Sequence, residues 1–207
     1  MIEKFRQNNL KCSINTTRIY STSFSLGVSL LGKRYRNHIY RIYGFVRYAD
    51  EIVDTFLKYD RETLLNEFRD ETYKAIKRGI SLNPILDSFQ QTVNECQIDH
   101  QLIDAFLASM EMDLENKVYD SQQLKNYIFG SAEAVGLMCL KVFYPDDDEK
   151  YNELKYPAQK LGEAFQKINF LRDAQDDFEN KGRIYFKNIN FNNFTATAKT
   201  QIELDIQ

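Results

Sequence analysis

The hydrophobic and polar positions along the chain read as successive helices. One stretch runs from about Asn37 to Lys58, after the break at Gly32. A second, from about Asp60 to Arg78, stops at Gly79, where a glycine commonly closes a helix. Pro84 opens a third, roughly Ile85 to Gln97, and Asp99 begins a fourth that reaches about Glu115. Ser121 starts a fifth, which extends to about Phe143 and is ended by Pro145 and three aspartates. The last clear stretch, about Pro157 to Glu179, is broken at Lys181-Gly182. Beyond Asn188 the chain is rich in Asn and Thr, and 196–207 has the pattern of a further helix beginning. No repeat, linker or low-complexity block divides these segments, so the expectation is a single all-α domain over 1–207.

Composition sharpens this picture. Eight Gly and 3 Pro in 207 residues are few against average usage of roughly 7% and 5%, which favours long helices over a turn-rich β-fold. Twenty-seven Lys+Arg against 30 Asp+Glu give a net charge of −3, a mixed surface with no basic footprint for nucleic acid. The three cysteines, Cys12, Cys96 and Cys139, are far apart and form no CxxC pair, and the two histidines, His38 and His100, lie in unrelated segments. Neither a disulfide framework nor a zinc site is signalled, and a reduced, cytoplasmic setting fits. The start, MIEKFRQNNLKCS, lacks a signal-peptide core. The longest apolar run, Ala134 to Phe143, is interrupted by Lys141 and falls short of the roughly 20 residues that span a bilayer. The chain is expected not to cross a membrane, and peripheral contact with one stays open.

Chemistry enters through two helices. On the Asn37–Lys58 stretch, at about 100° per residue, Asp54 lies about 40° from Asp50, with Tyr43 about 20° and Arg47 about 60° round. Ile39, Val46 and Leu57 fall on the other side of the two aspartates, so these flank the apolar arc. Like charges one turn apart beside buried surface repel and lose solvation. A divalent cation compensates well, since Mg²⁺ takes carboxylate oxygens and keeps waters and phosphate oxygens as its other ligands. The plainer alternative is a solvated pair answered by Arg47.

The second helix, LGEAFQKINFLRDAQDDFENKGRIYF from Leu161, places Gly162, Gln166, Asn169, Asp173 and Asp177 on one stripe, with Phe165 and Phe170 at its borders. Asn169, Asp173 and Asp177 are oxygen donors at a spacing of four, which suits a hard cation. A hydrogen-bonded polar stripe is the alternative. Arg172, Lys181 and Arg183 lie near this stripe. Arginines beside such carboxylates suit an oligophosphate, although helix-end cations answering the macrodipole would look the same. Two acidic helices facing across a cavity would hold Mg²⁺ and a diphosphate. Tyr43, Phe45, Phe165 and Phe170 would line an apolar remainder suited to a prenyl diphosphate.

At these residues the sequence resembles the squalene/phytoene synthase family over most of its length. YSTSFSLGVSLL (20–31) resembles that family's Ser-rich N-terminal segment, and YGFVRYADEIVD (43–54) its first aspartate motif. MEMDL (110–114) and YIFGSAEAVGLM (127–138) resemble its middle segment, and 161–186 its second signature.

The resemblance implies an isoprenoid-synthase-type helical bundle with a central cavity. It implies head-to-head condensation of two prenyl diphosphates through a cyclopropylcarbinyl diphosphate. Two geranylgeranyl diphosphates would give phytoene, for carotenoids. The alternatives are farnesyl diphosphate giving dehydrosqualene or squalene, and a non-catalytic member that binds a prenyl diphosphate. Asp50, Asp54, Asn169, Asp173 and Asp177 would hold Mg²⁺, or Mn²⁺, and the four aspartates would be catalytic. Tyr20, Ser21, Thr22, Ser23, Tyr43, Arg47, Gln166, Arg172, Arg183 and Tyr185 match substrate-contacting positions; helix capping is an equal reading of the Ser21–Ser25 stretch. No NADPH and no obligate protein partner are expected. Glu133 departs from the small residue usual in the family, and Phe129, Ala174 and Lys187 also depart from its pattern. The family's further C-terminal helices have no counterpart here, so a C-terminally truncated bundle is expected.

Overall fold

The computed structural model describes residues 1–115 and 119–176, and every regular element among them is helical. The elements are α1 (Ile2–Tyr20), α2 (Thr22–Leu30), α3 (Lys33–Asp54), α4 (Arg61–Arg78), α5 (Pro84–Cys96), α6 (His100–Glu115), α7 (Ser121–Ile128), a π-helical turn (Phe129–Glu133), α8 (Ala134–Phe143) and α9 (Asp148–Asp176). No described helix is long and apolar enough to cross a membrane. The expected structure of 177–207 lies outside the described residues.

α3 is the axis of the bundle. Its Ile39, Ile42, Phe45, Ala49, Ile52 and Val53 are buried, as the 3.6-residue period of an inward face requires. Phe45 stacks on Phe89 of α5 at 3.9 Å between ring centres, with Phe68 of α4 at 5.4 Å and Phe106 of α6 at 5.5 Å. Phe45 is therefore a core ring, not the cavity wall expected from the sequence. The helix also ends at Asp54 rather than Lys58, and Leu57 is 68% exposed. Arg61 Nη1 donates to the Val53 carbonyl at 2.7 Å, satisfying one of the carbonyls that a helix end leaves open.

Caps fix the other boundaries. Asp60 accepts from Thr63 N at the start of α4, and Gly79 closes that helix in the left-handed conformation. Asn83 accepts from Ile85 N and Leu86 N ahead of Pro84. Asp120 and Gln123 form a capping box on α7.

α1 was not visible in the pattern, because the face it buries is polar: Asn9, Ser13, Thr16 and Thr17. It is held by a buried carboxylate instead. Asp87 accepts from Asn9 Nδ2 at 2.8 Å, Gln91 Nε2 at 3.1 Å and the Ser81 backbone N–H at 3.1 Å. Three donors offset much of the cost of removing this charge from water.

The stretch expected as one helix from Ser121 to Phe143 contains the π turn at 129–133, a single-turn bulge of the kind that re-aims side chains. Gly130 there meets α6 so closely that a Cβ would lie 2.2 Å from the Ala105 carbonyl oxygen and 2.7 Å from Ser109 Cβ. Gly162 of α9 approaches the same turn, its Cβ position 3.1 Å from Ala132 O. α9 runs through Pro157 from Asp148, nine residues earlier than expected. A proline lacks one helical N–H, but here the helix continues across it.

The Gly130 contact predicts that Gly130→Ala destabilises the chain by about 3 kcal/mol, the upper end of overpacking costs. A urea titration checks this through a lower midpoint at unchanged slope.

Candidate active site

The two acidic helices meet across a polar cleft of about 290 Å³. α3 contributes Arg47, Asp50 and Asp54; α9 contributes Gln166, Asn169, Phe170, Arg172 and Asp173. These are the positions that the aspartate spacing singled out. Asp177, Arg183 and Tyr185 lie outside the described residues.

Arginines hold the carboxylates in place. Arg47 Nη1 donates to Asp50 Oδ2 at 2.5 Å, and its Nη2 donates to Glu51. Burial lowers the Arg47 pKa, but Asp50 and Glu51 outweigh it and carry the guanidinium above its ordinary value. Arg172 grips Asp173 bidentately, Nε to Oδ1 at 2.8 Å and Nη2 to Oδ2 at 2.7 Å, which also raises its pKa. Each arginine answers an acid on its own helix, so each is poised beside the position a ligand would take.

A third wall was missed in the sequence. α6 brings Phe106, Met110 and Asp113 to the cleft, and Tyr127 and Ser131 follow from α7 and the π turn. Asp113 is buried and accepts from the Tyr119 hydroxyl at 2.7 Å and the Tyr127 hydroxyl at 3.0 Å. The signal available was a carboxylate set between Met112 and Leu114 at the end of an apolar run, because such a residue is seldom buried without a partner. Tyr127 also stacks on Phe170, 6.1 Å between ring centres.

The N-terminal candidates do not line the cleft. Ser21 caps α2, accepting from Phe24 N at 3.3 Å, while Thr22 and Ser23 are exposed. Tyr20 lies beneath the Arg47 guanidinium, 4.2 Å from ring centre to carbon. Tyr43 stacks on Phe24 at 4.9 Å and is half-buried, which pushes its hydroxyl pKa up. Phe165, expected as lining, is 59% exposed, whereas Phe170 is buried.

No group of three or more His, Cys, Asp or Glu side chains converges as a metal site among the described residues. The donor chemistry nevertheless fits a hard cation: Asp50, Asp54, Asn169 and Asp173 share one cleft and offer oxygen.

Comparison with known proteins agrees with this geometry. The squalene/phytoene synthase family model matches residues 17–198. The chain belongs to the squalene/phytoene synthase family. It is 31% identical over 193 residues to a 4,4'-diapophytoene synthase of Staphylococcus haemolyticus, covering 90% of this chain and 65% of that protein. It is 29% identical to a phytoene synthase of Arthrospira platensis, covering 87% and 61%. The chain thus spans under two thirds of the length of these curated relatives. Among solved structures, a squalene synthase from Alicyclobacillus acidocaldarius superposes with TM-score 0.75 at 26% identity, over 89% of this chain and 67% of that one. A dehydrosqualene synthase in complex with ligand shares the fold at TM-score 0.76 and 22% identity, over 98% and 65%.

Glu133 lies in the π turn and accepts from Gln159 Nε2 at 3.1 Å. Burial first, then the charge of Glu163, pushes its carboxyl above the ordinary range, against Lys160 and Gln159. A carboxyl raised in the folded state contributes stability fully below its unfolded pKa and loses it as pH rises through the folded value. Glu133→Gln is therefore expected to unfold at a higher temperature than the native chain at pH 7. The difference should shrink to nothing below about pH 4, near the free carboxylate value. Thermal scans across that window check it.

Proposed function

We propose that this chain carries the catalytic half-sites of a head-to-head prenyl diphosphate condensation. The observation that carries the reading is the single cleft shared by Asp50 and Asp54 of α3 with Asn169 and Asp173 of α9, beside Arg47 and Arg172. Membership of a family whose named relatives include a 4,4'-diapophytoene synthase, a phytoene synthase and a presqualene diphosphate synthase supports the same reaction class.

Asp50, Asp54, Asn169 and Asp173, with Asp177, would hold Mg²⁺, or Mn²⁺. The bound metal would supply Lewis-acid stabilisation of the departing diphosphate. The chain's own residues do the rest. Arg47 and Arg172 orient diphosphate oxygens by bidentate hydrogen bonds, leaving their carboxylates as they do so. Ionisation leaves an allylic cation, which the double bond of the second substrate attacks. Tyr127, Phe170 and Phe106 bring aromatic rings to the cleft, and an aromatic ring stabilises a cation held over its face within about 6 Å. Asp113 holds the Tyr127 hydroxyl, so the ring stays beside the cleft.

The substrate we favour is geranylgeranyl diphosphate, giving phytoene without NADPH. The C15 relatives make farnesyl diphosphate the direct alternative.

Incubation with each diphosphate and Mg²⁺, with an EDTA control, is expected to give Mg²⁺-dependent phytoene from the C20 substrate. A C30 product alone would retain the chemistry and change the substrate. Asp50→Asn and Asp173→Asn should each lower turnover at least a thousandfold while the helical circular dichroism persists. Full activity in either variant would overturn the metal assignment.

A further inference from the structure

We infer that a second cavity, which shares Arg47 with the acidic cleft, binds a neutral aliphatic chain. It holds about 610 Å³ between α1, α3, α4 and α5, within the roughly 300–1,000 Å³ usual for small-molecule sites. Its walls are Ile52 of α3, Phe56 just beyond the end of α3, Leu64 and Phe68 of α4 and Leu86 of α5. Ile52, Phe68 and Leu86 are buried beneath it, while Leu64 and Phe56 are half-exposed along it. These walls are apolar, and burying hydrocarbon against them gains about 25 cal/mol per Å² of apolar surface.

The charges around it select against an anionic headgroup. Glu51, Glu67 and Glu71 belong to the lining, and Arg47 is the one cation among the described lining residues. That guanidinium is engaged by Asp50 and Glu51 and lies over the Tyr20 ring. Glu67 and Glu71 are exposed on α4, and Lys74, next to the cavity residues, pairs with Glu71 at 2.9 Å. A diphosphate would meet three carboxylates against one cation among the described lining residues, and like charges brought together in a partly dry site repel strongly. An uncharged chain meets no such penalty. The two cavities therefore divide their ligands by charge. The acidic cleft with its arginines suits a metal-bound diphosphate, and this one suits a neutral hydrocarbon or alcohol. The assignment stands on the lining itself and holds whether or not the cleft turns over a prenyl diphosphate.

Farnesol, a neutral C15 alcohol, tests the inference by isothermal titration into the whole chain in EDTA, where metal-dependent diphosphate binding is silent. One farnesol per chain is expected. Leu64→Trp, which fills the cavity with an indole, should weaken farnesol at least tenfold while circular dichroism is unchanged. The double substitution Glu67→Lys with Glu71→Lys, at exposed positions that tolerate exchange, should let the chain bind farnesyl diphosphate in EDTA at least tenfold more tightly than the native chain does. Absence of farnesol binding, or native affinity in Leu64→Trp, would overturn the inference. So would native binding of farnesyl diphosphate in EDTA as tight as farnesol. Should Leu64→Trp fail to fold, the lysine pair decides alone, and no gain in diphosphate affinity would reject the charge selection.

Discussion

Two helices that carry carboxylates cannot face each other across a cleft without countercharge. Arg47 and Arg172 supply it in the described structure, each gripping an aspartate on its own helix. The interaction is conditional. Arg172 holds Asp173 bidentately and Arg47 divides between Asp50 and Glu51; under the proposed function a diphosphate with hard cations would offer both partners more, phosphate oxygens for the arginines and metal for the acids. Under the proposed function, ligand binding would complete the site by exchange of partners.

The rest of the bundle serves to keep those acids facing one another. The Phe45 stack with Phe68, Phe89 and Phe106 locks α3 against α4, α5 and α6. Gly130 and Gly162 let the π turn nest between α6 and α9: a Cβ at Gly130 would overlap the Ala105 carbonyl, and one at Gly162 would be tightly crowded by 132–133. Because α9 passes over that turn, Gln166, Asn169 and Asp173 come to face α3. Asp113 fastens Tyr119 and Tyr127 beneath them. A substitution at Gly130 would therefore act on chemistry more than a turn away, through helix separation.

Much of this was legible in the residues, and what was hidden was hidden for physical reasons. The aspartate spacing on α3 and the oxygen stripe on α9 are angular facts of a helix, so their shared cleft follows once both helices exist. Asp60, Gly79 and Pro84 marked helix ends in the sequence, and the structure places caps at Asp60, Gly79 and Asn83. α1 gave no sign because its buried face is Asn, Ser and Thr, tied down by Asp87 rather than by apolar periodicity. Phe45 and Phe165 both left the cavity wall expected of them, one for the core and the other for the surface, because a helical wheel gives a direction but not the neighbour found there. Asp113 lay inside a quoted motif, yet its role needed the Tyr127 hydroxyl, which is distant in sequence. Pro157 read as a start when α9 carries it internally.

The central claim is that α3 and α9 together form one metal-dependent diphosphate site. Titration of a non-hydrolysable farnesyl thiodiphosphate into the native chain and into Asp50→Asn, each with Mg²⁺ and with EDTA, tests it most directly. The account predicts binding that requires Mg²⁺ and falls at least tenfold in the variant. Equal affinity with Mg²⁺ and with EDTA, or a variant indistinguishable from the native chain, would contradict it.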